Sequence, residues 1–311
     1  AILGGSPAVR CDQSEFENSQ CWPRVGQDEL DEIKRLFLDN DISTHPVSRE
    51  LEAEYAERMD RKFALAHNNG TSALMAAFFA LGLKPGDQIL VPTATFWASV
   101  VPMMWHGLVP VFCESEGNTL GLDVEDLKRK VNPKVKAMVI VPLCGIPSDY
   151  DALMAFSQEH DLKVIEDASH GHGALYRDRP IGSFGDISVF SLQGDKLAPA
   201  GEGGIFLTDS YDYWERAVCM GDITRVIELD TEAQKYAATS FGIKTRIAPV
   251  SAAIGLSQLK KLDQNNRVRR KNLLRISDAL GQYGFECFKD TDYRTRSYFE
   301  LLAGCPNGLL S

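Results

Sequence analysis

From residue 63 onward the chain alternates short apolar runs with helical patterns, and this rhythm constrains the fold more than any other feature. "FALAHN" (63–68) reads as a strand and "TSALMAAFFALG" (71–82) as a helix; "KPGDQ" then turns the chain into the strand "ILVP" (89–92). "TFWASVVPMMWHG" reads as a helix interrupted by Pro102, followed by the strand "LVPVFCE". The helix "DVEDLKRKV" (123–131), the strand "VKAMVIVP" (135–142), the helix "DALMAFSQEH" (151–160) and the strands "LKVIED" (162–167) and "DISVFSL" (186–192) continue the pattern. Such alternation builds βαβ units around a mainly parallel sheet, and continuous apolar strands need helices on both faces. In an open α/β sheet, ligands bind beyond the carboxyl ends of the strands. The ends at 68–70, 93–97, 166–167 and 191–196 are therefore expected to face one crevice.

The flanks differ. "GQDELDEIKRLFLDN" (26–40) reads as a helix with Ile33, Leu36 and Phe37 on its apolar face, and "VSRELEAEYAERMD" (47–60) as a second. Residues 251–281 are helical. Leu256, Leu259 and Leu262 make one apolar run and Leu273, Ile276 and Leu280 another, with "NNRVRR" (265–270) between them. "GFECF" reads as extended, and "AGCPNGLLS" as a loop. The expected organisation is an N-terminal segment (1–45) packing on the small domain, a large α/β domain (46–240) and a small C-terminal domain (241–311). Too few elements follow residue 282 to complete the last. A net charge of −10 argues against nucleic acid as a partner, while leaving room for a local basic pocket. The seven cysteines are scattered without a C-x-x-C, as free thiols in a reducing cytoplasm would be. No apolar stretch is long enough to span a membrane, and "AILGGSPAVR" lacks the pattern of a signal peptide.

Four stretches could carry chemistry. In "NNGTSAL" (68–74), a glycine followed by Thr71 and Ser72 at a helix start is either a phosphate cradle or an ordinary capped turn. The Walker spacing is absent and no G-x-G-x-x-G follows the first strand, which disfavours a Rossmann-like nucleotide binder. In "VIEDASHGHGA" (164–174), Asp167 ends a buried strand, where a carboxylate either holds a proton on a ring nitrogen or caps a helix. His170 and His172 stand close by, but no further cluster completes a metal site. Phe96 and Trp97 in "TATFWAS" either stack on a planar ligand or fill the core. Lys196, in "SLQGDKLAPAGEGG" (191–204), is a solvated charge or a nucleophile; the latter needs desolvation to become neutral. Ser191 could bind phosphate, and the glycines let the backbone pack close. Together, a cradle, a stacking aromatic, a carboxylate and a lysine on one sheet edge describe a pyridoxal phosphate site.

These motifs, with "GIKTRIAPVSAAIGLSQLKKLD" (242–263) and the N-terminal "WP", resemble the DegT/DnrJ/EryC1/StrS family of sugar aminotransferases, in register from about residue 20 to 300. The resemblance implies a three-layer αβα PLP-transferase fold type I, aspartate aminotransferase-like, working as a cytoplasmic homodimer. It implies pyridoxal 5'-phosphate as cofactor and transfer of an amino group from glutamate or glutamine to a nucleotide-linked keto-sugar or a keto-cyclitol. Lys196 matches the Schiff-base lysine, Asp167 the partner of the pyridine nitrogen, His170 a residue near the phenolic oxygen and Phe96 the stacking aromatic. Gly70, Thr71 and Ser191 match phosphate-binding positions. Arg246 falls where members place a residue reaching the neighbouring subunit's phosphate, although "KTR" departs from the usual sequence there. Glu202 matches the glutamate of the G-E-G-G loop. Gln193 and Asp195 depart from the common lysine motif and point to a distinct keto substrate. Members also continue past a position like 302. The alternatives are a sugar dehydratase relative, in which histidine replaces the lysine, and a non-enzymatic regulator on the same scaffold.

Overall fold

The computed structural model describes residues 12, 14, 17, 21–239 and 241–304. Two helices, α1 (Gln27–Leu38) and α2 (Val47–Arg58), precede strand β1 (Phe63–His67). Then come α3 (Gly70–Ala80), β2 (Gln88–Pro92), α4 (Val101–Trp105), β3 (Val109–Cys113), α5 (Val124–Lys130), β4 (Val135–Ile140), α6 (Tyr150–Glu159) and β5 (Lys163–Asp167). The short strands β6 (Leu175–Tyr176) and β7 (Arg179–Pro180) lead to β8 (Ile187–Ser191), β9 (Gly204–Thr208) and α7 (Tyr211–Gly221). The long α8 (Pro249–Gly281) and the short β10 (Glu286–Cys287), β11 (Arg294–Thr295) and β12 (Ala303–Gly304) follow.

Seven strands form one sheet in the order β1-β9-β8-β5-β4-β2-β3. Only β9 runs against its neighbours, antiparallel to both β1 and β8; the other pairs are parallel. Strand side chains alternate between faces, and each face has its own core. Leu90, Met138, Val164 and Phe190 pack with Leu51 and Tyr55 of α2 and Leu256, Leu259 and Leu262 of α8. Ile89, Val91, Val139, Ile165 and Val189 pack with Leu74 and Phe78 of α3 and Val218 of α7. The result is the expected three-layer αβα arrangement. Among the described residues, no helix is long and apolar enough to cross a membrane.

The expectations fail at three places, each for a local reason. Pro102 does not interrupt a helix. Trp97–Ser99 is a single 3-10 turn, and Pro102 sits in the first turn of α4, where its missing N–H removes no bond. The helical region expected over 251–281 is present as one continuous α8, its polar "NNRVRR" containing no helix breaker. Its first half is buried, whereas Ile276 is exposed. Phe37 is exposed although Leu36, one residue before it, is fully buried. Strand β3 is the sheet edge, so Val109 and Phe112 are exposed instead of doubly covered.

Helix α1 is fastened to α8 by one buried carboxylate. Glu29 Oε1 accepts from Ser257 Oγ (2.8 Å), Gln258 Nε2 (2.8 Å) and Lys261 Nζ (2.7 Å), and Oε2 accepts from Gly26 N–H (2.8 Å). Burial alone would raise its pKa, but Lys261, the Gly26 N–H and Ser257 together hold it at about 2. A carboxyl lowered in the folded state adds stability above its unfolded pKa and loses it as pH falls through the folded one. Replacing Glu29 with Gln is expected to cost about 2 kcal/mol at pH 7. In urea melts, the gap between the proteins is expected to narrow between pH 4.5 and about 2.

Candidate active site

The carboxyl edge of the sheet converges on one cavity of about 790 Å³. It is lined by Gly70, Thr71, Phe96, Asp167, His170, Ser191 and Lys196, together with Ser99, Gln193, Asp195, Glu202, Phe299 and Glu300. Of the residues singled out for the site, only Arg246 lies outside it.

The cradle is built where β1 hands over to α3. Asn69, not a hydroxyl residue, caps the helix, its side chain accepting from Ser72 N–H at 2.8 Å. No hydrogen bond ties the Thr71 hydroxyl to any described residue. Gly70 presses against the end of β8, where a Cβ would lie 2.8 Å from Ser191 Cβ. The first turn of α3, with its positive dipole end and free N–H groups, thus shares one corner with two hydroxyls.

Asp167 and Glu166 end β5 side by side, and strand alternation sends them to opposite faces. Glu166 is fully buried and accepts from Tyr150 Oη (2.7 Å), Gly182 N–H (2.8 Å), Phe184 N–H (3.1 Å) and Ser188 Oγ (3.2 Å). It is a structural carboxylate. Asp167, 5 % exposed, lines the cavity. Ser99 Oγ donates to its Oδ2 at 2.6 Å and Ser169 Oγ to its Oδ1 at 2.6 Å. Thr95 Oγ1 lies 2.8 Å from Ser99 Oγ, so the carboxylate is held through a short hydroxyl relay.

Lys196 stands on the loop that joins β8 to β9. Burial lowers its pKa below the ordinary lysine value, while the charges of Asp167, Glu300 and Asp195 pull the other way. Its Nζ lies 4.8 Å from the centre of the Phe299 ring, which also stacks on His170 at 4.1 Å. His170 Nδ1 accepts from Cys144 N–H at 3.2 Å, which leaves the imidazole proton on Nε2. Burial, and secondarily the charge of Lys196, bring the His170 pKa down to about 3. The ring is therefore a neutral Nε2–H donor.

The remaining candidates divide. Phe96 stands at the cavity wall, 57 % exposed and tilted against Trp97, so it is not core. Glu202 is exposed at the rim. His172 is a core residue, its Nε2 3.1 Å from Tyr55 Oη. Arg246 bonds to Ser43 Oγ (3.0 Å) and Thr224 Oγ1 (3.1 Å) on a different part of the surface. Sequence reasoning missed Ser99, Ser169, Phe299 and Glu300. Ser169 had a signal, because a hydroxyl two residues after a strand-end aspartate can bond back to it. Phe299 and Glu300 come from a distant segment whose pattern names no partner.

These residues fit pyridoxal phosphate. The lack of a Cβ at Gly70 lets the start of α3 close on Ser191 and brings its N–H groups beside that hydroxyl, Asp167 presents a fixed carboxylate, and burial lowers the pKa of Lys196.

Residues 23–307 match the family model described as the DegT/DnrJ/EryC1/StrS aminotransferase family. The chain is 34 % identical over 281 residues to GDP-perosamine synthase of Vibrio cholerae, covering 88 % of this chain and 75 % of that protein. It is 30 % identical over 313 residues to L-glutamine:2-deoxy-scyllo-inosose aminotransferase of Micromonospora echinospora, covering 96 % and 73 %. Among solved structures, the aminotransferase from Psychrobacter cryohalolentis superposes with a TM-score of 0.84 at 32 % identity, covering 90 % of this chain and 75 % of that one. The family match, the relatives and the superposed aminotransferase structure agree with a cavity that fits the cofactor: the chain belongs to the DegT/DnrJ/EryC1/StrS aminotransferase family and is a pyridoxal-phosphate-dependent enzyme of fold type I.

Proposed function

We propose that the protein moves an amino group from glutamate or glutamine to the carbonyl carbon of a nucleotide-linked keto-sugar or a keto-cyclitol, with Lys196 as its central residue. One observation carries this reading: a lysine with a burial-lowered pKa shares a single cavity with a hydroxyl-held carboxylate and an open helix N-terminus. The names of the relatives support the acceptor classes, one carrying a GDP-linked sugar and the other a cyclitol with glutamine as donor.

When bound, pyridoxal phosphate supplies an electron sink for negative charge at the amine-bearing carbon. Gly70, Thr71 and Ser191 would hold its phosphate, and Phe96 would cover a face of its ring. Asp167, unable to swing between Ser99 and Ser169, would keep a proton on the ring nitrogen. His170 would offer its Nε2–H to the phenolic oxygen. Lys196 Nζ, whose pKa burial lowers, takes a proton from the substrate carbon as general base and returns it as general acid. The lysine in this cavity supports transamination over the dehydratase chemistry of relatives that carry histidine there.

A cytoplasmic homodimer completes the reading. The scattered cysteines suit a reducing compartment. On α4 and the edge strand β3, Val101, Met104, Trp105, Val109 and Phe112 are exposed, Trp105 by 77 %. Exposed apolar residues gathered in this way mark a contact surface. Arg246, which does not line its own cavity, would then reach a neighbour's.

Four outcomes are expected. Adding pyridoxal phosphate to the full chain gives a visible absorption band, and borohydride reduction followed by peptide mapping finds the cofactor on Lys196. A label elsewhere, or none, sinks the reading. Lys196→Ala lowers turnover of keto-sugars and keto-cyclitols by about 10²–10⁴-fold. The His170 ring, followed by ¹⁵N NMR, shows no titration between about pH 5 and 8, where an ordinary histidine changes charge. Trp105→Glu shifts the light-scattering mass from dimer to monomer; an unchanged mass rejects this surface as the dimer contact.

A further inference from the structure

The loop that carries Lys196 is reached by the N-terminal segment. The Trp22 indole Nε1–H donates to the Lys196 carbonyl oxygen at 3.2 Å. The Arg269 guanidinium, on α8, lies 4.8 Å from the centre of the same indole. Two residues on, the Arg24 carbonyl accepts from Gln258 Nε2 of α8 at 3.0 Å. Glu29 then fastens α1 to the same helix. The indole is thus fixed from both sides, by a helix that is buried where it crosses the core and by a segment bonded to that helix. On the loop itself, the Lys196 N–H donates to the Gln193 carbonyl at 2.8 Å. The lysine backbone is therefore held by one local bond and by one bond from outside the loop.

A lysine side chain is a flexible four-carbon stem. Its amine is placed only as well as the Cα from which it starts, and small misplacements at a reacting centre are costly. We infer that Trp22 is a positioning residue for Lys196: its indole N–H ties the lysine's backbone to α8, so that Nζ enters the buried cavity instead of the solvent. The inference rests on Lys196 being the cofactor-bearing lysine. The charged and titratable groups around Nζ are Asp167 of β5, His170 after it, Asp195 on the lysine's own loop, Glu202 at the rim and Glu300 of the C-terminal segment. None of them is altered by a change at Trp22.

Trp22→Phe keeps a ring beneath Arg269 and removes only the donor. The full chain, freed of cofactor, is trace-acetylated across a pH series, and each lysine is followed by mass spectrometry. With the donor gone, Lys196 gains solvent and its midpoint rises. Its neutral fraction at pH 7 is expected to fall by about threefold or more, as a half-unit rise requires. Lys62 and Lys163, remote from the cavity, keep their midpoints, and the thermal melt stays cooperative. In the same variant, pyridoxal phosphate is captured more slowly, read from the growth of its absorption band. An unchanged Lys196 midpoint overturns the inference, and so does a shift shared by the reference lysines. If Trp22→Phe does not melt cooperatively, Arg269→Met, which frees the indole without removing its N–H, is judged by the same criteria. Borohydride mapping is independent of these readings. Failure to find the cofactor on Lys196 refutes the proposed function, whereas a flat acetylation profile refutes only the role of Trp22.

Discussion

The antiparallel strand β9 is the constraint on which the site depends. It lies between β1 and β8 and brings Gly204 opposite both His67 and Ser191. A side chain at Gly204 has no room, since its Cβ would stand 2.4 Å from the Asn69 carbonyl oxygen. The start of β9, the cap of α3 and the end of β8 are thereby forced together. Because β8 and β9 run in opposite senses, the loop between them must leave and re-enter the sheet on its carboxyl edge. Lys196, midway along that loop, has nowhere to be except over the crevice. The glycines of "GEGG" therefore serve backbone contact more than flexibility: Gly201 takes a left-handed turn (φ +78°), and Gly203 and Gly204 allow close approach.

Around this knot, polar groups are held by groups that do not compete with the chemistry. Asn69 caps α3, and Thr71 is left uncommitted. Hydroxyls bind Asp167 where a cation would neutralise it. A backbone N–H selects the tautomer of His170, and burial keeps that ring uncharged beside Lys196. Each functional group is thus oriented by a neutral partner, which fixes geometry without cancelling charge.

The sheet, the helices on both faces and seven of the eight candidate site residues in one cavity were legible because they follow from short-range pattern. Apolar runs mark covered strands, and strand ends mark the crevice. What escaped notice depends on distance or on context. Ser99 becomes a partner of Asp167 only once β2 and β5 are placed in the same sheet, and nothing in "WASV" announces it. Phe299 and Glu300 reach the cavity from a segment more than 90 residues beyond Lys196 in the chain. The exposure of Phe37 follows from which stripe of α1 meets α8, and a single helix pattern does not specify its partner. Arg246 illustrates the limit from the other side. Its own cavity does not include it, so any part it takes in catalysis is a matter of assembly.

The neighbouring carboxylates Glu166 and Asp167 have a consequence for how such a chain can diverge. One fastens the interior, the other faces the reacting molecule, and a single peptide unit separates them. Adding or deleting one residue in β5 would exchange their destinations: an acid pinned by tyrosine, serine and backbone donors would lose them, and the crevice would receive the wrong side chain. Loops around the crevice can lengthen, shorten and change chemistry, and the substrate with them. The length of this strand has no such freedom, so descent in this lineage is expected to rewrite what surrounds the strand while leaving its residue count untouched.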